Sequence, residues 1–124
     1  MAIIYKPKVV AKKDVEAIRG YCGLVWELID AKNTDAKRLN LSQVKVNEGQ
    51  SAKPHLHRQT EELYFILEGQ GEVTIGTKVY SVAQGYAVFI PPGYTHTIRN
   101  SGHTTLQLLA INSPPYDSGD TFFP

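Results

Sequence analysis

At 124 residues, 42% hydrophobic and 20% charged, the chain has the size of one domain with a real core and the balance of a globular protein, not a disordered one. Its 13 Lys and Arg against 12 Asp and Glu leave a net charge of +1, so no general electrostatic grip on nucleic acid or an anionic membrane is expected. The single cysteine, Cys22, excludes an intramolecular disulfide and a thiolate-rich metal site.

Residues 1–10 are apolar and β-branched in part, a candidate strand interrupted by Lys6, Pro7 and Lys8. Pro7 would confine that strand to an edge or a start position. The same stretch lacks the long apolar core of a signal peptide, and no apolar run approaches the roughly 18 residues that span a bilayer. A soluble protein of a reducing cytoplasm is the expectation. Residues 14–20 read as at most a short helical turn, with Asp14 as cap, Arg19 at the negative end of the dipole and Gly20 as the stop. Residues 24–29 read as a strand, closed by the polar turn 30–37.

From residue 39 the chain becomes a succession of short strands punctuated by glycine. Residues 39–46 alternate partly, and Asn47-Glu48-Gly49 turns them. Residues 62–68 are rich in aromatic and branched side chains and end at Gly69-Gln70-Gly71. Residues 72–75 and 77–82 flank Gly76, which predicts a tight hairpin. Gly85 precedes a strand at 86–90, and Pro91-Pro92-Gly93 forces a turn. Residues 96–100 follow, then Ser101-Gly102-His103, then a strand at 105–112. Strands every 8–12 residues with no helices between them predict an antiparallel sandwich or barrel. The tail after Ser113 carries Pro114, Pro115 and Pro124 and is expected to wrap the surface. No internal repeat or low-complexity segment is present.

The chemistry gathers in residues 54–64. His55 and His57 are two residues apart, so an extended chain presents both imidazoles on one face. A bend after them lets Glu62 return on the following strand toward the same point. Imidazole and carboxylate together suit a divalent transition metal at neutral pH. Of the two remaining histidines, His96 directly follows Pro91-Pro92-Gly93-Tyr94-Thr95 at the start of a strand expected deep in the sheet. His103 lies in a Ser-Gly-His-Thr turn, where exposure is the simpler reading. His96 is therefore the candidate fourth donor.

These residues fall in the register of two motifs, and through them the chain resembles the cupin superfamily in its small single-domain form. The first motif is Gly, five residues, His-x-His, three or four residues, Glu, six residues, Gly. Gly49, His55, His57, Glu62 and Gly69 fill it. The second is Gly, five residues, Pro-x-Gly, two residues, His, three residues, Asn, and Gly85, Pro91, Gly93, His96 and Asn100 fill it without departure. The resemblance implies an all-β fold, a double-stranded β-helix or jelly-roll barrel, with one divalent transition metal per chain (Mn, Fe, Ni, Co, Zn or Cu) inside its mouth. It also implies a homodimer. Residues 37–113 would form the barrel core, residues 1–36 a strand and short-helix segment packing on it, and residues 114–124 a tail.

Glu61 competes with Glu62 for the ligand role. Glu62 is preferred because Gly69 follows it after six residues, and because strand alternation puts Glu62, Tyr64 and Ile66 on the inward face and Glu61 outside. Tyr64 and Ile66 are thereby candidates to line a substrate pocket. Aromatic strand residues are more often core, and Trp26 reads as packing or a subunit contact. Asn100 reads as a structural tie to the neighbouring loop. Tyr116, Asp117 and Asp120 are candidates for a lid, which their spacing alone does not establish. His-x-His by itself is a weak signal; the weight lies in its register with the glycines and the second motif.

Such a site supports a metal-dependent enzyme acting on a small polar metabolite by isomerase, epimerase, lyase or dioxygenase chemistry. The competing reading is a non-catalytic binding or sensing module with the same cavity. No catalytic acid or base is legible. The partner expected is a small-molecule substrate or ligand, with neither nucleic acid nor membrane.

Overall fold

The computed structural model describes residues 5–20 and 22–124, and their regular structure is almost entirely β. A 3-10 turn at Lys12–Asp14 precedes β1 (Ile18–Arg19), β2 (Gly23–Ile29), β3 (Asn40–Val46), β4 (Leu56–His57), β5 (Glu61–Glu68), β6 (Gln70–Ile75) and β7 (Lys78–Ala83). There follow β8 (Ala87–Ile90), β9 (His96–Asn100), β10 (Leu106–Ser113), a 3-10 turn at Ser118–Asp120 and β11 (Thr121–Phe122). One six-stranded sheet runs in the order β1-β2-β3-β10-β5-β8, a three-stranded sheet in the order β7-β6-β9, and β11 pairs with β4 as a small ribbon. Every pairing is antiparallel. The antiparallel sandwich expected from the spacing of the strands is the fold found, in the jelly-roll form that the resemblance implies.

Alternation along the strands builds the core. In β5, Glu62, Tyr64 and Ile66 are buried while Glu61, Leu63 and Phe65 are exposed, as a period of two requires. In β10 the buried set is Leu106, Leu108, Ala110 and Asn112. Val46, Ile66, Val73, Ile90, Ile98, Leu106 and Leu108 meet in one cluster, and each such side chain taken from water contributes roughly 1.5–3 kcal/mol. The core sits toward one end of the sandwich, and the polar inward positions Asn40, Glu62, His96 and Asn112 continue the same faces.

One connection accounts in physical terms for the glycine that closes the first motif. Gly69 alone links β5 to β6, which lie in different sheets. Its φ is +87°, and a Cβ there would stand 2.5 Å from the Thr105 carbonyl oxygen, so only glycine makes the crossing. The hairpin at Gly76 is also as expected: Ile75 pairs with Lys78, leaving a two-residue Gly76-Thr77 loop with Gly76 at φ +63°.

The N-terminal region departs from its sequence pattern. Of the candidate strand over residues 1–10, residues 5–10 carry no regular structure, and 1–4 lie outside the described residues. The turn expected over 14–20 is displaced to Lys12–Asp14, and Ile18 and Arg19 instead pair with Val25 and Leu24. Gly20 donates its N–H to the Gly23 carbonyl at 2.7 Å, so it closes a hairpin and does not stop a helix. Pairing with β2 outweighs a local propensity worth only tenths of a kcal/mol per residue. Among the described residues no helix is long and apolar enough to cross a membrane.

Candidate metal centre

Backbone pairing delivers the four predicted donors to one point. His55 and His96 face each other as a β-bridge, His55 N–H donating to the His96 carbonyl at 3.1 Å and His96 N–H to the His55 carbonyl at 2.8 Å. Two residues on, His57 occupies the same face, and its carbonyl accepts the Gly93 N–H at 2.6 Å. The Pro91-Pro92-Gly93 corner is thus docked on the His-x-His strand, which is how it places His96. Glu62 enters from β5, between Ile90 of β8 and Asn112 of β10. His55, His57, Glu62 and His96 are all buried, and one ligand atom from each lies within 4.8 Å of all the others. Glu61, the competing carboxylate, is exposed. His103 is exposed too, 3.8 Å from Glu48 in a solvent-bathed pair.

The hydrogen bonds around the rings set their tautomers. His55 Nδ1 lies 2.8 Å from the Lys53 carbonyl, His96 Nδ1 3.1 Å from the Tyr94 carbonyl and His57 Nδ1 3.2 Å from the Asp120 carbonyl. A carbonyl only accepts, so each Nδ1 carries the proton and each neutral ring turns an Nε2 lone pair inward. Thr121 Oγ1, 3.3 Å from His57 Nδ1, donates its own hydrogen to the Asp117 carbonyl at 3.0 Å and is likewise an acceptor toward the ring. Glu62 Oε1 stands 2.9 Å from His96 Nε2 and 3.8 Å from His57 Nε2. A carboxylate and a lone pair at 2.9 Å need a proton or a metal cation between them. Burial lowers the pKa of His55, with the Lys53 hydrogen bond and Glu62 opposing it and the neighbouring imidazoles adding to it, so the neutral, ligating form is favoured. The donor set, its burial and its ring orientation fit a divalent metal.

Two further residues belong to this neighbourhood: Asn112, which carries no signal in the sequence, and Asp120, which the sequence offers only as a lid candidate and not as a partner of His57. Asn112 stands opposite Glu62 in the β5–β10 ladder, and its buried Oδ1 has no hydrogen-bond partner. An acceptor left so is satisfied by a donor entering from a ligand or water. Asp120, 63 residues from His57, reaches the site through β11. Only the pairing of the tail on β4 brings it there, and no spacing rule encodes that. Tyr64 and Ile66 are inward and buried in the core cluster. The Tyr64 phenol is pushed well above its ordinary pKa by burial, then by the Glu62 charge and Cys22. A groove of about 420 Å³ lined by Val9, Asp14, Ile18, Glu27 and Lys32 among others shares no residue with the donor cluster, and its charges do not converge on a buried point.

The cupin domain model matches residues 42–112. An uncharacterized protein of Methanocaldococcus jannaschii is 30% identical over 116 residues, covering 90% of this chain and 93% of that one. Among solved structures, a predicted oxalate decarboxylase of Thermotoga maritima superposes with a TM-score of 0.75 at 28% identity, covering 86% of this chain and 99% of its own. The polyketide cyclase RemF of Streptomyces resistomycificus superposes at 0.76 with 26% identity, covering 93% and 89%.

Proposed function

The chain belongs to the cupin family, and on that premise we propose that it holds one divalent transition metal through His55, His57, Glu62 and His96 and acts on a small polar metabolite. The observation that carries this reading is the orientation of the rings: three backbone carbonyls take the Nδ1 protons and leave three Nε2 lone pairs converging on one buried carboxylate. A divalent cation would satisfy all three lone pairs and the carboxylate at once, whereas a proton would serve only the pair of His96 and Glu62. Such an ion supplies Lewis-acid polarisation of a carbonyl or carboxylate, and as Fe or Cu it also supplies dioxygen chemistry.

The protein's own groups then hold and orient. Asn112 Oδ1 offers an acceptor beside Glu62 for a substrate hydroxyl. Tyr64, kept as the neutral phenol by burial, offers a donor, with Ile66 as apolar wall deeper in. The activities in the names of the two structural neighbours support a small-molecule substrate. Isomerase, epimerase, lyase or dioxygenase chemistry is the proposed range. A non-catalytic binding or sensing module is the second reading. It is favoured by the shortage of proton-transfer groups: among the described residues, the buried polar set beyond the four donors is Asn40, Ser42, Thr60, Asn100 and Asn112, with the Tyr64 phenol held in its neutral form. A reducing cytoplasm and a homodimer, with no nucleic-acid or membrane partner, complete the proposal.

Elemental analysis of gently purified, unchelated protein tests the reading. About one equivalent of metal per chain is expected, lost in His57→Ala and Glu62→Gln and retained in Glu61→Gln. Iron or copper would direct assays to oxygen consumption, and Mn, Ni, Co or Zn to sugar and keto-acid isomerase or lyase reactions. Equal metal content in the two glutamate variants would sink the ligand assignment. No uptake even after adding divalent ions back would sink the metal site itself.

A further inference from the structure

We propose that Asp120 is a positioning residue: it straps the C-terminal segment onto the β4–β5 turn and so holds His57 in the ring orientation and tautomer that bind metal. Three independent contacts carry this. The Asp120 carboxylate accepts the backbone N–H groups of Arg58 at 3.1 Å, Gln59 at 3.1 Å and Thr60 at 3.3 Å, the whole turn that links His57 to the strand of Glu62. The backbone carbonyl of the same residue accepts from His57 Nδ1 at 3.2 Å. Immediately after it, Thr121 pairs with His57 and Phe122 with Leu56 in the ladder. One residue therefore fixes the turn by its side chain and the ring by its main chain.

The flanking contacts point the same way. Thr60, 3% exposed, donates its hydroxyl to the Pro114 carbonyl at 3.1 Å, anchoring the start of the tail. The Arg58 guanidinium sits 4.3 Å from the centre of the Phe122 ring and the Lys53 ammonium 4.5 Å from that of Phe123. The Phe123 ring in turn lies 6.1 Å from His55, and the Tyr116 ring 6.1 Å from His57. The tail thus covers the two histidines of β4 and its approach, and its geometry is keyed to Asp120. Without the carboxylate strap, the ring keeps its place in the strand, but the segment carrying its two acceptors, the residue-120 carbonyl and the Thr121 hydroxyl oxygen, is no longer held against it, and the selection of the Nδ1–H form weakens.

The proposal rests on the metal reading for its affinity prediction and stands apart from it for its tautomer prediction. The variants are Asp120→Ala and Asp120→Asn, the latter keeping one acceptor oxygen. Competition of Mn²⁺ and Zn²⁺ with a chelator should show Asp120→Ala weaker by roughly 10–100-fold, the scale on which groups behind a metal ligand act. Asp120→Asn should lose less. In parallel, nitrogen-15 spectra of the metal-free protein above pH 7.5 should show His57 as the single Nδ1–H tautomer, and as a mixture in Asp120→Ala. Wild-type affinity together with an unchanged His57 tautomer would overturn the proposal. Should Asp120→Ala fail to fold, Asp120→Asn carries both readouts, and wild-type values in it would overturn the proposal equally. If the wild-type protein takes no metal, the metal reading fails, and the tautomer comparison alone decides the strap.

Discussion

At the scale of single residues, what matters is which side of a strand a group falls on. Glu61 and Glu62 are chemically identical neighbours, yet one is exposed and the other is 7% exposed and 2.9 Å from His96. A period of two and the distance to Gly69 favour Glu62 as the inward carboxylate, and the strand does turn it inward, because a buried face fixes register. Cys22 shows the same contrast between residue type and setting. It is 8% exposed, and burial raises its thiol from 9.0 to about 11. Two pKa units lower the thiolate fraction at pH 8 about 100-fold. Iodoacetamide at pH 8 should therefore label the native protein about 100-fold more slowly than the guanidinium-unfolded chain, read by mass spectrometry; equal rates would place the thiol in solvent. The sign for stability follows from linkage. The folded state keeps a proton that the unfolded state releases, so this contribution is present below pH 9 and is lost as pH rises toward 11.

At the scale of elements, Asn100 shows how one side chain ties three segments. From the end of β9, its Nδ2 donates to the Val46 carbonyl at 2.9 Å and the Thr104 carbonyl at 2.8 Å, while its Oδ1 accepts the Gly102 N–H at 3.0 Å. It is 2% exposed, and Val46 is fully buried, so the Val46 carbonyl is left without a donor when the amide is removed. Asn100→Ala should cost about 2–4 kcal/mol, seen as a lower urea midpoint with an unchanged slope. A loss within about 0.5 kcal/mol, the surface range, would mean the tie carries nothing. This role was legible in the second motif, as were β3 and the strands from β5 to β10, whose alternation and glycine punctuation are local properties. The elements that escaped are β1, β4 and β11. Each is two residues long and exists only because a distant partner supplies hydrogen bonds. Ile18–Arg19 looks helical until β2 is beside it, and Thr121–Phe122 looks like a tail until it meets Leu56–His57. Asp120 is legible only as a lid candidate, and its bonds to His57 and the following turn are not, since contacts across some 60 residues leave no periodicity.

At the scale of the whole molecule, the outer face of the six-stranded sheet carries apolar side chains that the described residues leave exposed. Leu63, Phe65 and Phe89 are 45%, 42% and 53% exposed on the outer side of the six-stranded sheet. They are contiguous: Leu63 pairs with Phe89 on one side and Ile111 on the other, and Phe65 pairs with Leu109. The candidate site lies on the opposite, inward side of the same strands, so covering this face leaves the donors unobstructed. A second copy of the chain is the occupant we propose. The patch is apolar and uncharged at its centre, it reaches the edge strand β8, and the near-neutral net charge of +1 opposes no self-association. A stable homodimer buries roughly 1,200–2,000 Å² in total, which needs the neighbouring strands as well as these three side chains. Light scattering at micromolar concentration should give twice the 13.8 kDa chain mass. Phe89→Lys and Leu63→Lys, which place a charge at the centre of the contact, should each shift the protein toward monomer while metal content stays unchanged. A monomeric wild type would reject the dimer outright, and a dimer indifferent to both substitutions would place its interface on another face.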